Sequence, residues 1–424
     1  MRTGGGMMNS AVLPIADDGA SPFMGKLTRD LLELSPTFEA FVQGMPGVLP
    51  HEALASLRML GGRDADRLIA DAASDRAPRS LDQGALLPLP HPLDSEFRFD
   101  IDTARILAKG LLNETRDGDE ILLIGVPSVA IELAASGADR RLRYLGPDNC
   151  VTAAVRNAIG DGRLLLGQGD GGTAAAALLD PPWYHEPMQH LIGISAFGCR
   201  PGATVHLVLP SLGTRPEVDV DRAAFIGYAV EAGLIPVQIG APVYYRTPLF
   251  ELAALEQQGI GRLPSWRRGD IAGFRVGDRK VDAAPWIAPR STELTVQGIR
   301  LRIVPGKKGG ARHLSKIGDH EVFPSVSARA SGRDAATLWT TTNRAFLVDF
   351  DAARRAMEAI ANEFSGVLQT RLYSDENGER PLSRVADDDS LIHQLKELIG
   401  RELFDARRLV GDDGWCKTAV EWRC

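Results

Sequence analysis

The stretch Ala174-Ala175-Ala176-Ala177-Leu178-Leu179-Asp180-Pro181-Pro182-Trp183 decides the fold. Its apolar half reads as a strand buried on both faces, and the two prolines must end it, because proline donates no ladder hydrogen bond. The turn that follows is rigid and places a carboxylate, prolyl carbonyl acceptors and an indole face together. Ligands of open α/β sheets bind at that carboxyl edge. Such a turn suits a planar amino group that must be held by acceptors and stacked.

Outward from this strand the pattern alternates. A helix begins at Ile101, Glu120 to Gly125 is a short buried strand, and Val129 to Ala135 is a helix. Arg141 to Leu145 is a second strand, Val151 to Ile159 a helix, and Arg163 to Gly167 a third strand. Ala175 to Leu179 is the fourth. Met188 to Phe197 is helical, Val205 to Pro210 is the fifth strand, and Arg222 to Ala232 is a helix. Ile235 to Tyr245 contains the sixth strand, and Leu249 to Leu255 is a candidate seventh. This order implies right-handed βαβ crossovers and a doubly wound, Rossmann-like parallel sheet.

The flanks read differently, and 424 residues exceed one ordinary domain. Residues 1–20 are expected to be disordered. Residues 21–92 read as a helical N-terminal domain and proline-rich linker, with leucine stripes at Leu27, Leu31 and Leu34 and at Leu54, Leu57 and Leu60. The α/β core is expected over 93–261, and an α+β C-terminal domain over 262–424.

Asp180, Pro181, Pro182 and Trp183 resemble, position by position, the catalytic motif of S-adenosylmethionine-dependent amino-methyltransferases that act on N6 of adenine or N4 of cytosine. The resemblance to a class I methyltransferase covers roughly Phe97 to Leu255. It implies that Gly125, Asp148 and Asp170, each following a strand, bind S-adenosylmethionine, and that these four motif residues carry the chemistry. It also implies N6 of adenine in DNA or RNA as the target. The first turn, Gly125-Val126-Pro127-Ser128, departs from the family's GxGxG, because only Gly125 matches and Pro127 removes an amide donor. A second, weaker similarity is to branched-chain polyamine synthases, carried by Phe99 to Arg105, Ile121 to Gly125 and Asp180-Pro181-Pro182. Those enzymes carry an acidic GDDD-type run at the first turn, which this chain lacks. A transferase acting on a small amine, or a non-catalytic binding subunit of the same fold, are the alternative readings.

Between Arg262 and Lys316 the chain carries 13 Lys and Arg against 4 Asp and Glu, interleaved with Trp266, Phe274 and Trp286. Locally this is the signature of a polynucleotide contact, so Arg267, Arg268, Lys307 and Lys308, with Tyr184 beside the motif, are the candidate substrate-binding residues. A solvated surface or an interface with a protein partner is the other reading, and the net charge of −7 favours no nucleic acid for the whole molecule. His185 reads as an exposed loop histidine. The 4 cysteines form no CxxC pair, which argues against a metal site and fits a reducing cytoplasm. No apolar run reaches the ~18 residues that a membrane span requires.

Overall fold

The computed structural model describes residues 87–147, 149–160, 162–167, 171–211, 217–257, 267–278, 291–306, 311–327, 330–364, 367–371 and 388–410. The expectations for residues 1–86 lie outside this set.

The core strands are β1 (Glu120–Ile124), β2 (Arg141–Leu145), β3 (Leu164–Leu166), β4 (Ala174–Leu179), β5 (Cys199–Pro210), β6 (Leu234–Tyr245) and β7 (Arg267–Val276). They form one sheet in the order β3-β2-β1-β4-β5-β7-β6. The pairs β1–β2, β2–β3, β1–β4 and β4–β5 are parallel, and β7 is antiparallel to both β5 and β6. Every residue of β1 and β4 is buried, as expected for central strands covered on both faces. One face is covered by α1 (Ile101–Glu114), α2 (Pro127–Ala135) and α3 (Cys150–Ile159), whose Ala104, Ala108, Val129 and Val155 pack on Ile121 and Leu123. The other is covered by α4 (His185–Gly198) and α5 (Val218–Glu231), whose Met188, Ile192 and Phe225 pack on Leu122, Ala177 and Leu179. The α/β class and the double winding are as the alternation implies. The strand order reverses between β1 and β4, so their carboxyl ends flank the crevice where such sheets take ligands.

Two expectations are corrected. Leu249 to Leu255 is not the seventh strand: it lies in a helix, α6 (Leu249–Gln257), rich in the strong helix formers Leu, Ala and Glu. The seventh strand is β7, where Ala272, Phe274 and Val276 recur with period two and are buried. The sheet therefore runs past residue 261, where the loss of alternation had placed its end. The alternation continues through α6, but β7 opens on Arg267 and Arg268 and carries Gly269, Asp270 and Gly273, residue types poor in strands, so its sequence does not announce it.

The second sheet is built from β8 (Ser291–Val296), β9 (Ile299–Ile303), β10 (Ser315–Lys316), β11 (Leu338–Thr340), β12 (Ala345–Leu347) and β13 (Val367–Arg371), in the order β10-β12-β11-β9-β8-β13. Its pairs are antiparallel. β8 and β9 are joined by Gln297 and Gly298 at φ 49° and 81°, a two-residue turn with both residues left-handed, which suits a tight hairpin. α6, α7 (Phe350–Phe364) and α8 (Asp388–Val410) share its core through Leu249, Ala253, Met357, Ile360, Leu391 and Leu395.

Residues 87–99 strap the two cores together. Leu87 packs in the first, Leu89 against the second, and Phe99 bridges to Tyr245 at the end of β6. The strap then enters α1, whose first turn is capped by Asp100 accepting from the Thr103 amide at 2.8 Å.

Candidate functional site

β4 delivers Asp180 to the switch point, where its amide donates to the Ile124 carbonyl of β1 at 3.1 Å. Beyond it the chain turns through Pro181 and Pro182, the Tyr184 amide donates to the Pro182 carbonyl at 2.7 Å, and α4 begins at His185. The Asp180 carboxyl accepts at Oδ1 from the Tyr245 hydroxyl at 2.9 Å. Asp180 borders a cavity on one side and protein on the others, and this desolvation, only partly offset by the phenol, pushes its carboxyl up to about 8. Burial and the neighbouring carboxylate raise the Tyr245 phenol well above its ordinary range, so it stays protonated as the donor.

Tyr245 is the residue at this site that the sequence does not single out. It is 1% exposed, stacked on Phe99 at 5.0 Å and met edge-on by Trp183 at 5.9 Å. Gly269 of β7 makes room for it: a Cβ there would lie 3.2 Å from the Tyr245 hydroxyl, 2.8 Å from Val208 Cγ1 and 3.1 Å from the Leu209 carbonyl. Gly269→Ala should therefore displace Tyr245 or the β5 backbone, costing about 1–3 kcal/mol in urea unfolding. The tyrosine fluorescence and the activity should change with it. The sequence signal for Tyr245 is its place at the carboxyl end of β6, an edge strand that the order β4-β5-β7-β6 sets apart from the switch point.

The cavity, about 440 Å³, lies between the switch point, the strap and the second sheet. Gly125, Pro127, Tyr144, Gly146, Pro147 and Val151 line its β1–β2 side, and Phe97, Asp180, Trp183, Tyr184 and Tyr245 its β4–β6 side. Gly125 has φ +68°, and a Cβ on it would sit 3.0 Å from the Asp180 carbonyl oxygen, so only glycine lets the ends of β1 and β4 approach this closely. Asp148 and Asp170, the other expected cofactor residues, lie outside the described residues, as do Lys307 and Lys308.

Two of the expected phosphate contacts, Arg267 and Arg268, are among the described residues, and both stand beside acids. Arg267 borders the cavity but is bidentate to the fully buried Glu251, donating from Nε to Oε2 at 2.8 Å and from Nη2 to Oε1 at 2.5 Å. Arg268 donates to Ser211 at 3.1 Å and stands 3.5 Å from Asp270. Arg300 and Arg302 are buried among Asp94, Glu96 and Glu293. Among the described residues of the basic stretch, Arg267, Arg300 and Arg302 are thus interior charge, matched in part by Asp94, Glu96 and Glu251, which lie outside that stretch of sequence. A local count of charges cannot see them.

His185 is not a loop residue. It opens α4, with Nε2 3.0 Å from Asp221 and Nδ1 2.9 Å from the Tyr228 hydroxyl, which ties the turn after β4 to α5. Among the described residues no group of three or more His, Cys, Asp or Glu side chains could hold a metal ion. No helix among them is long and apolar enough to cross a membrane.

No family model and no curated protein matches the chain. Solved structures do. A branched-chain polyamine synthase from Thermus thermophilus, in complex with N4-aminopropylspermidine and 5′-methylthioadenosine, is 16% identical over 59% of this chain and 71% of its own, with a TM-score of 0.36. A TehB-like S-adenosylmethionine-dependent methyltransferase from Corynebacterium glutamicum is 10% identical over 42% of this chain and 89% of its own, with a TM-score of 0.29. A precorrin-6y C5,15-methyltransferase from Geobacter metallireducens is 14% identical over 43% and 94%, with a TM-score of 0.29.

The bond to Tyr245 predicts a shift in titration. Tyr245→Phe removes the donor that favours the ionised carboxyl, so Asp180 should titrate higher than about 8. The alkaline-rising limb of any activity that needs the carboxylate should move up in pH, which a pH–rate profile reads directly.

Proposed function

We propose that this chain transfers an alkyl group from an S-adenosylmethionine-type sulfonium to the nitrogen of a small amine held at Asp180. The observation that carries this reading is the Asp180 carboxyl, held by Tyr245 at the switch point, inside a cavity of about 440 Å³ that the strap and the second sheet enclose. That volume falls in the range of small-molecule sites, roughly 300–1,000 Å³.

The residues present fit a nucleoside sulfonium. Gly125 opens the backbone at the end of β1, and α2 begins at Pro127 with no side-chain cap, which leaves the first helical amides to a ligand. Tyr144, Pro147 and Val151 offer apolar walls for a nucleoside. The sulfonium supplies an alkyl group already activated by positive charge. The chain supplies position and a proton acceptor. Tyr245 occupies Asp180 Oδ1, which leaves Oδ2 to accept an N–H from the acceptor amine. A carboxyl titrating near 8 matches the working range of a general base. Pro181 and Pro182 donate no amide, the Pro182 carbonyl takes the Tyr184 amide, and Trp183 forms a wall beside them. Alignment of this kind is worth ~7–11 kcal/mol of barrier.

A second reading, N6 methylation of adenine in DNA or RNA, is favoured by the Asp180-Pro181-Pro182-Trp183 tetrapeptide itself, in which Trp183 could stack on a flipped base. One experiment addresses both. Calorimetry with S-adenosylmethionine and with its decarboxylated form tests the donor. Mass spectrometry then follows transfer to small amines and to the nucleosides of mixed DNA and RNA. Absence of binding by either donor overturns the proposal, and N6-methyladenosine as the sole product replaces it with the second reading.

A further inference from the structure

The charges bordering the cavity restrict the acceptor further than its size does. Asp94 and Glu96 line it, yet neither is available to a ligand cation. Asp94 is held by Arg300 at 2.6 Å and by Arg302 and Asn149, and Glu96 by Arg98 at 2.6 Å and Arg300 at 3.2 Å. Arg267 and Arg302 line it as well, and they are matched by Glu251 and by Glu293 with Asp94. These lining charges are therefore already compensated, by one another or by Arg98, Arg300, Glu251 and Glu293, which do not line the cavity. Asp180 differs: among the described residues it faces no cation, and its bonded titratable neighbour is the Tyr245 phenol. Apolar and aromatic groups, Leu93, Phe97, Trp183, Val304 and Val326, make up much of the remaining surface.

We infer that the acceptor is an amine with one positive charge on an apolar or aromatic body, and that the site discriminates against polyamines and against amines that also carry a carboxylate or phosphate. The inference rests on the proposed function and deepens it. An ionised Asp180 compensates one ammonium. Among the described residues, a second ammonium would meet Asp94 and Glu96 already bonded to arginines, and an added anion would meet Arg267 and Arg302 already bonded to carboxylates. An unpaired charge in such a place loses its hydration without replacement, which is costly. Phe97, Trp183 and Tyr245 border the cavity with aromatic surface against which the body packs.

The test is calorimetric binding at pH 9 of four probes: tyramine, tyrosine, spermidine and adenosine. Tyramine and tyrosine differ only by a carboxylate, spermidine carries several charges, and adenosine presents a neutral amino group. Tyramine should bind at least about tenfold more tightly than the other three, the scale of one charge-assisted hydrogen bond. Asp180→Asn should weaken tyramine by a similar factor. In the unaltered protein at pH 7, tyramine binding should release a proton, seen as a dependence of the binding heat on the ionisation heat of the buffer. Equal or tighter binding of spermidine, tyrosine or adenosine, binding of tyramine without proton release, or no binding of any probe overturns the inference. Donor calorimetry, run separately, decides the underlying reading: donor binding with no preference for tyramine sinks this inference alone.

Discussion

Asp180→Asn should lower the rate of transfer by about 10²–10⁴, the range ascribed to a positioned acid or base, while donor affinity stays close to that of the unaltered protein. The amide keeps the shape of the carboxyl and can still accept from the Tyr245 hydroxyl, but it cannot take a proton from the acceptor nitrogen. In the unaltered protein kcat/KM should rise with pH through about 8, because the free carboxyl must ionise before it can act. The variant should show no such limb. Stability should move the other way. The folded chain binds the Asp180 proton more tightly than the unfolded chain, whose carboxyl titrates near the ordinary value of 3.8. The group's stabilising contribution is full below that value, declines as pH rises and is gone above about 8. Asp180→Asn removes this penalty, so the variant should melt at a higher temperature than the unaltered protein at pH 9, and the gap should close at pH 4. A variant with full activity at pH 9 would exclude Asp180 as the proton acceptor.

The central strands and the position of Asp180 were legible because both follow from local chemistry. The run of Ala and Leu is short, wholly apolar, ended by two prolines and set within the strand–helix alternation, and it is a buried strand ending at the ligand edge. The partner of Asp180 was not legible, because Tyr245 comes from a strand 65 residues on and reaches the carboxyl only through the antiparallel β5–β7–β6 arrangement. β7 itself hid inside a run of arginines whose charge drew the reading toward phosphate. Arg267, Arg300 and Arg302 look like a basic surface in one dimension. In three they are interior, because Glu251, Asp94 and Glu96 arrive from other elements. Periodicity reports which face a strand buries, and reports nothing about which distant acid will neutralise a buried base.

That buried charge carries the last expected result. Arg300→Met should destabilise the protein by about 3–5 kcal/mol in urea unfolding, the cost of breaking a buried ion cluster from one side. Arg300 is fully buried and binds Asp94, Glu96 and Glu293, so its loss leaves three carboxylates sharing Arg302 and Arg98. The arginines hold Glu293 down to about 2 and Asp94 lower still, although burial alone would raise both. Their contribution is thus present above the ordinary carboxylate range and is lost as pH falls through the depressed values. In the variant both carboxylates should titrate higher, so its acid unfolding should begin at a higher pH. A second substitution separates loss of charge balance from loss of packing. Arg300→Met with Glu293→Gln leaves Asp94 with Arg302 and Glu96 with Arg98, two matched pairs, and should recover part of the lost stability. If the double variant is no more stable than Arg300→Met, the cost lies in the packing of the guanidinium. The same cluster fixes the strap against β8 and β9, and Asp94, Glu96 and Arg302 border the cavity. Arg300→Met should therefore also weaken acceptor binding while sparing the Asp180–Tyr245 bond, so that KM rises more than kcat falls.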